Sequence, residues 1–226
     1  IVNQVTQSGQ VEAGGFVPAG VYDAEGATGD DFRTVGGDYY KPTDADYEAN
    51  CEEARALLAE AGYENGEGFP VVEYLYNTSD AHKAVAEALQ YMWEEELGVK
   101  VTLNNQEWAA FLQTRKDGDY SIARNGWIAD YNDPISFLDM WMTGGGNNDA
   151  QYENEEYDSL IKEAKTTTDV KERMELLHKA EDKIIGEDNA LAPLYFYTQK
   201  YMLADGIEGL YYCPLGYFFF GYTHQA

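Results

Sequence analysis

The chain has 226 residues, of which 41 are Asp or Glu and 15 are Lys or Arg, so its formal net charge is -26. This acidity excludes nucleic acid as the natural partner and argues against binding to anionic lipid, since both require clusters of cations. Aromatic residues make up 14% of the chain, which argues against disorder, and no apolar run is long enough to span a membrane. Cys51 and Cys213 could form a disulfide or remain two buried thiols, and neither belongs to a metal-ligand pattern.

The N-terminal part of the chain shows little periodicity. Ile1 to Ser8 has the pattern of a helix that is already under way, from which we expect the chain to be a fragment of a longer protein. Residues 9–43 are rich in Gly, Pro and Asp, and we expect them to form a long ordered loop over the surface. Asp44 or Asp46 is expected to begin the first clear helix, which should end at Gly62.

The middle of the chain alternates predicted strands and helices, as α/β domains do. Phe69 to Tyr76 and Val99 to Leu103 are predicted strands because their apolar residues alternate or form a continuous run. Between them, Asn77 to Asp80 should cap a helix that stops at Gly98. A shorter helix is predicted over Trp108–Lys116.

The last third of the chain contains two more predicted helices and two aromatic segments. Asn154 and Asp169 should each begin a helix, the second with Glu172 as its partner in a capping box. Leu191 to Leu203 is predicted to form a strand, and Tyr211 to Tyr222 is apolar and aromatic.

The stretch from Ser121 to Pro134 is the most informative in the chain. It is predicted to start as a strand and to end in a helix, with Asp133 as the N-cap and Pro134 as the first helical residue. Between these ends lie a cation, Arg124, and an anion, Asp130. An extended peptide could dock against a strand end that has unpaired backbone groups and is flanked by opposite charges.

The run Arg124-Asn-Gly-Trp-Ile-Ala-Asp-Tyr-Asn-Asp-Pro134 resembles the signature of the oligopeptide-binding proteins of bacterial ABC importers, the OppA-like and DppA-like receptors. Other stretches agree with that family in order and spacing, namely Ile1–Val5, Ala54–Tyr63, Tyr76–Asp80, Asn105–Trp108, Tyr157–Ile161 and Ala192–Tyr195. The resemblance implies one α/β lobe of a type II periplasmic-binding-protein fold, with a mixed sheet flanked by helices. It also implies that residues 1–226 are a single C-terminal ligand-binding lobe, that the N-terminal lobe is absent, and that residues 191–226 partly cross between lobes.

The resemblance further implies charged ligand contacts. Asp130 corresponds to the carboxylate that pairs with the α-ammonium of the ligand, and Arg124 and Arg115 correspond to cations that can face its C-terminal carboxylate. Each residue also has a purely structural interpretation. Asp130 could be a turn aspartate ahead of Pro134, Arg115 could stabilise a helix C-terminus, and Arg124 could pair with one of the many acids.

The remaining implied contacts come from backbone groups and from side chains other than Asp and Arg. Trp127 corresponds to the wall of a side-chain pocket, and Gly126 and Ile128 offer backbone N–H and C=O groups to the ligand. Asn77 and His82 fall where the family has pocket-lining residues at a strand-to-helix turn. The structural alternatives are a core tryptophan for Trp127 and a plain surface helix residue for His82.

The chain contains no G-x-S-x-G, H-E-x-x-H or phosphate-loop motif, and we expect no cofactor. The three histidines, His82, His178 and His224, are too remote in sequence to predict a metal site. The resemblance thus implies a binding protein, not an enzyme. It would enclose an oligopeptide between two lobes and deliver it to ABC permease subunits, either as a cell-surface lipoprotein or in the periplasm. Three alternatives stay open: an oligosaccharide or other solute as ligand, a hydrolase with paired carboxylates, and a receptor that senses peptides without importing them.

Overall fold

The structure is a computed structural model that describes residues 1–40, 43, 45–213 and 216–226. Its α-helices are α1 (Phe32–Gly36), α2 (Tyr47–Glu60), α3 (Asp80–Leu97), α4 (Trp108–Asp117), α5 (Ile135–Leu138), α6 (Glu155–Thr166) and α7 (Val170–Glu181). Its strands are β1 (Val11–Glu12), β2 (Val72–Asn77), β3 (Val101–Gln106), β4 (Ile122–Ala123), β5 (Tyr195–Phe196), β6 (Ile207–Glu208), β7 (Tyr211–Cys213), β8 (Tyr217–Phe219) and β9 (His224–Gln225). Short π-helical or 3₁₀ turns occupy Val2–Thr6, Gly26–Thr28, Glu64–Gly66, Asp139–Trp141 and Asp182–Glu187. No helix in these ranges is long and apolar enough to cross a membrane.

Three parallel strands form the central sheet in the order β3-β2-β4. Val72–Asn77 is in register with Val101–Gln106 on one side, and Tyr74–Leu75 is in register with Ile122–Ala123 on the other. Helix α3 connects β2 to β3, and α4 connects β3 to β4, because parallel strands require a crossover connection. The antiparallel strands form separate pairs, β1-β5, β6-β9 and β7-β8. The predicted α/β architecture is confirmed, but the prediction of a mixed sheet is not met among the described residues, because the parallel and antiparallel strands form different sheets.

Two clusters of buried apolar side chains form the core. The first packs α3 against the sheet and contains Tyr74, Tyr76, Val85, Ala86, Leu89, Val99 and Val101. The second lies around α5, α6 and α7, and its fully buried members include Phe32, Leu138, Tyr157, Ile161, Leu177, Ile184 and Ile185. Trp127 and Ala129 pack against the second cluster, so the segment after β4 runs from the sheet to that cluster.

The expectation of a surface loop over residues 9–43 is wrong for the central part of that segment. Val17 and Phe32 are fully buried in the second core cluster, and Val21 joins them there. Glycine and proline residues interrupt these apolar residues irregularly, so neither a helical nor a strand period marks them in the sequence.

A buried carboxylate fixes this segment to α7. Glu181 is fully buried, and its Oε1 accepts hydrogen bonds from the backbone N–H groups of Phe16 at 2.8 Å and Val17 at 2.9 Å. The same oxygen accepts a hydrogen bond from Nη1 of Arg33 at 2.8 Å. A charge is tolerated in a core only when it is paired and hydrogen-bonded, and the contacts of Oε1 provide this pairing for Glu181. Its other oxygen, Oε2, is buried without a hydrogen-bond partner among the described residues.

Asn154 and Asp169 are the N-caps of α6 and α7, as predicted. The side chain of Asn154 accepts N–H groups of the first turn of α6, and the side chain of Asp169 accepts the N–H of Glu172 in α7. The predicted capping box is only half formed, because the carboxylate of Glu172 accepts a hydrogen bond from Oγ1 of Thr167 at 3.0 Å instead.

Other predicted boundaries shift. Helix α2 begins after Asp46, and Asp44 lies outside the described residues. Of the strand predicted over Leu191–Leu203, only β5 is formed, and it pairs with β1. Aromatic residues raise β propensity over the whole stretch, but a strand also needs a partner, and β1 is only two residues long. Both cysteines are free thiols.

We predict that Arg33→Met lowers the free energy of unfolding by about 3–5 kcal/mol, because it leaves the buried Glu181 carboxylate without its cation. Chemical denaturation followed by circular dichroism measures this loss. Arg55→Met is the matched control, because Arg55 also pairs with two carboxylates, Glu48 and Glu96, but is far more exposed. An equal or smaller loss for Arg33→Met than for the control would contradict the anchoring role of Glu181.

Candidate ligand-binding site

The carboxyl ends of β2 and β4 bring three of the predicted site residues together. Asn77 is the last residue of β2, His82 lies in the first turn of α3, and Arg124 directly follows β4. The backbone N–H of Arg124 donates to the carbonyl oxygen of Leu75 at 2.9 Å, which extends the pairing between the two strands by one residue. This edge of a parallel sheet is where α/β folds commonly bind ligands.

Arg124 and His82 meet at the hydroxyl group of Tyr197. That oxygen lies 3.4 Å from Nη2 of Arg124 and 3.3 Å from Nε2 of His82. It also lies 3.4 Å from the hydroxyl of Tyr195. Neither tyrosine is among the predicted site residues. Their positions in the sequence could have indicated them, because two residues that are two positions apart in a predicted strand lie on the same face.

Burial and the charge of Arg124 decide how this cluster titrates. Burial lowers the pKa of His82, and the positive charge of Arg124 lowers that pKa further, so the imidazole is neutral near pH 7. Burial raises the pKa of Tyr74 to about 12, and it also raises the pKa of Tyr195. The cluster therefore combines one guanidinium with neutral hydrogen-bonding groups, which suits an anionic or polar ligand group.

The guanidinium of Arg115 already has partners within the chain. Its Nε lies 2.7 Å from Oδ2 of Asp149, with side chains that are 12% and 14% exposed, and its Nη1 donates to Oδ1 of Asn125 at 2.8 Å. Its guanidinium carbon also lies 5.1 Å from the ring centroid of Phe111. The structure thus shows Arg115 as a cation that supports the segment after β4. A ligand role would require it to leave Asp149, and that role stays a prediction.

The segment from Arg124 to Pro134 has no regular secondary structure. Gly126 is exposed, and Ile128 is 72% exposed. Trp127 is half-buried, and its indole Nε1 donates to the carbonyl oxygen of Ser136 at 2.7 Å. Trp127 is therefore partly a core residue, and only its exposed part is open to a ligand.

The backbone between Trp127 and Ala129 is unpaired. In the ranges that the structure describes, none of its N–H or C=O groups has a hydrogen-bond partner, and β4 has only β2 beside it. Asp130 is exposed, and its carboxylate makes no hydrogen bond or ion pair with any residue described. An open backbone edge beside a free carboxylate can accept an extended chain and an ammonium group.

The described part of the chain contains no group of three or more His, Cys, Asp or Glu side chains placed to hold a metal ion. Nε2 of His178 lies 2.8 Å from Oδ2 of Asp23, and Nδ1 of His224 lies 3.0 Å from the carbonyl oxygen of Tyr222. Each of these two histidines therefore has a local partner of its own.

Comparison with known protein families identifies the chain. Residues 1–149 match the profile of a family described as “Bacterial extracellular solute-binding proteins, family 5 Middle”, which covers more than half of the chain. The chain belongs to family 5 of the bacterial extracellular solute-binding proteins. This match confirms the family resemblance, and it places the chain among proteins that bind solutes.

Curated relatives of this chain are longer than the chain itself. It is 38% identical over 219 residues to the dipeptide-binding protein DppE of Bacillus subtilis (strain 168), covering 96% of this chain and 38% of that protein. It is also 38% identical over 211 residues to the oligopeptide-binding protein OppA of the same organism, covering 93% of this chain and 37% of that protein. The chain thus spans a little over a third of the length of the curated relatives it matches.

Solved structures share the fold of this chain. It superposes on Haemophilus influenzae OppA in complex with the peptide RPPGFSPFR with a TM-score of 0.73 and 32% sequence identity. The superposition covers 92% of this chain and 39% of that one. The predicted fold class, a lobe of the periplasmic-binding-protein type, is therefore confirmed.

We predict that the pKa of His82 lies below its usual value of 6.5 and that Arg124→Gln raises it towards that value, because the substitution removes a nearby positive charge. NMR titration of the histidine ring resonances measures the pKa. Arg124→Lys keeps the charge and is the control, in which the pKa should stay low. A pKa that is the same in Arg124→Gln as in the unchanged chain would contradict the electrostatic contact.

The lowered pKa also sets the sign of a pH effect on stability. Between the folded-state pKa of His82 and about 6.5, the unfolded chain binds more protons than the folded one, so the free energy of unfolding rises with pH. The His82 contribution is complete above about pH 6.5 and is lost as the pH falls through that range. Denaturation of His82→Gln at several pH values should show a weaker dependence there than the unchanged chain.

Proposed function

We propose that this chain forms one side of the ligand cleft in a peptide receptor of a bacterial ABC importer. The observation that carries the proposal is the unpaired backbone from Trp127 to Ala129, with Arg124 at one end and Asp130 at the other. An extended peptide adds to such an edge through backbone hydrogen bonds, which do not depend on the side chains of the ligand. One receptor could therefore take peptides of many sequences.

The two charged ends complement a zwitterionic peptide. The Asp130 carboxylate is free to accept hydrogen bonds from the ligand α-ammonium group. Arg124, with the hydroxyl of Tyr197 and the ring of His82, offers donors to an anionic group such as the ligand C-terminal carboxylate. The names of the relatives support peptides as the ligand class, since DppE is a dipeptide-binding protein and OppA an oligopeptide-binding protein.

In this proposal the protein binds and releases its ligand without making or breaking a covalent bond. The receptor delivers the peptide to permease subunits of the importer and works outside the cytoplasm, either as a cell-surface lipoprotein or in the periplasm. Family membership among extracellular solute-binding proteins supports this location.

We further propose that residues 1–226 are a C-terminal ligand-binding lobe and that a second lobe of the same protein completes the cleft. The relatives, of which the chain spans little more than a third, support this division. Residues 191–226 then cross partly to the second lobe. Exposed aromatic side chains in this tail support the crossing, because a packed partner would bury them: Tyr211, Tyr217, Phe219, Phe220 and Tyr222.

We predict that Asp130→Asn weakens binding of trialanine to the receptor that carries this chain by about 2–5 kcal/mol, because it removes the charge that pairs with a desolvated ammonium. N-acetyl-trialanine lacks that ammonium, so its affinity should change little. Isothermal titration calorimetry measures both affinities.

Asp119→Asn is the matched control, because Asp119 is also an exposed loop aspartate but lies at the opposite end of β4. It should leave both affinities unchanged. Equal loss for the free and the acetylated peptide in Asp130→Asn would contradict the ammonium contact. Failure of both peptides to bind the unchanged receptor would contradict the peptide ligand and favour another solute.

A further inference from the structure

Ser136 connects the two residues of the segment after β4 that face the proposed ligand. It lies in α5 and is only 4% exposed. Its hydroxyl oxygen accepts the backbone N–H of Asp130 at 3.0 Å, and its carbonyl oxygen accepts the indole N–H of Trp127 at 2.7 Å. One buried residue thus fixes both the backbone of the exposed carboxylate and the ring of the aromatic residue.

The start of helix α5, which carries Ser136, is fixed by hydrogen bonds of Asp133. Oδ1 of Asp133 accepts the N–H of Ile135 at 2.9 Å, next to the start of the helix. Both oxygens of the same carboxylate accept hydrogen bonds from Arg173 of α7, each at 2.9 Å. A bidentate pair of this kind fixes the relative orientation of its two groups. Ser136 is therefore a rigid support for the more exposed segment beside it.

Asp130 has few other contacts that could fix it. The backbone groups of the three residues before it are unpaired within the described ranges. After it, the carbonyl oxygen of Tyr131 accepts the N–H of Asp133 at 3.0 Å. The side chain of Asn132 accepts the N–H of Tyr22 at 2.8 Å and donates to the carbonyl oxygen of Gly20 at 3.0 Å. The hydrogen bond to Ser136 is thus the contact that directly restrains the backbone of Asp130.

We propose that Ser136 is a positioning residue that sets the selectivity of the receptor for a free ammonium group at one end of its ligand. This inference rests on the proposed function, because it concerns the carboxylate that is proposed to bind that ammonium. Hydrogen bonds depend steeply on angle and distance, so a carboxylate on an unrestrained backbone spends less time in the productive orientation. The buried hydroxyl of Ser136 removes that freedom before the ligand arrives.

The test measures the ratio of the dissociation constants of N-acetyl-trialanine and trialanine, by calorimetry on the receptor that carries this chain. Ser136→Ala should lower this ratio by about 3- to 10-fold, because it removes one hydrogen bond that restrains Asp130. A general loss of structure would weaken both peptides alike and leave the ratio unchanged. Ser136→Cys keeps the shape with a poor acceptor, and it should lower the ratio as well.

Two further variants make the result specific. Ser159→Ala is a control for the loss of a serine hydroxyl at an exposed site, because that hydroxyl donates to the carbonyl oxygen of Glu155 on α6, away from this segment. It should keep the ratio. In the Asp130→Asn background, Ser136→Ala should change the ratio no further. A wild-type ratio in both Ser136 variants would overturn the inference and leave the proposed function standing. A ratio near one in the unchanged receptor would overturn the role of Asp130, and with it this inference.

Discussion

An edge strand leaves one row of backbone N–H and C=O groups without partners, and among the described residues β4 is such a strand, with β2 on one side only. The backbone of residues 127–129, in the segment after β4, is unpaired as well. Natural proteins usually protect such an edge from pairing with other chains by placing charges or irregular structure on it. Here Arg124 and Asp130 flank the open backbone, and the segment between them is irregular. We infer that the same charges discourage nonspecific pairing and select a ligand that carries both an ammonium and a carboxylate.

The open segment is held at several points along its length, although its central backbone is unpaired. Arg115 donates to the side chain of Asn125 near its start, Ser136 holds its centre, and Asn132 and Asp133 tie its end to neighbouring segments. A segment that is ordered before binding loses less conformational entropy when the ligand arrives. The partly exposed ion pairs of Arg115 with Asp149 and of Arg173 with Asp133 thus fix the geometry of the proposed site as well as stabilising the fold.

The sequence predicts best those parts whose form depends on local pattern. The apolar residues of β2, α3 and β3 have strand or helix patterns, and Asn154 and Asp169 cap the helices that they were expected to cap. The chemistry of the segment after β4 was predictable from its resemblance to a family, since its residues match a long motif. Family membership is now shown, while the ligand roles of the individual residues remain predictions.

What the sequence does not predict are contacts between remote residues. The hydroxyl of Tyr197 lies beside Arg124 although 73 positions separate them, and no local pattern marks that contact. Similarly, the ion pair with Asp149 decides whether the guanidinium of Arg115 is available to a ligand. This pair forms only because the fold brings Asp149 next to α4, and no local pattern shows that. The buried residues Val17 and Phe32 are hidden among glycines and prolines, so only tertiary packing shows that they belong to the core.

Amide hydrogen exchange on the peptide-bound receptor tests the central claim most directly, because it reports whether a ligand pairs with the unpaired backbone of the segment after β4. The amides of Trp127, Ile128 and Ala129 are the relevant probes, and those of β3, on the other edge of the sheet, are the internal control. We expect saturating trialanine to slow exchange at alternating positions among the three probes, since alternate N–H groups of a strand face the same neighbour, and to leave β3 unchanged. Unchanged exchange at all three probes while calorimetry shows bound peptide would contradict the claim that the peptide pairs with this segment.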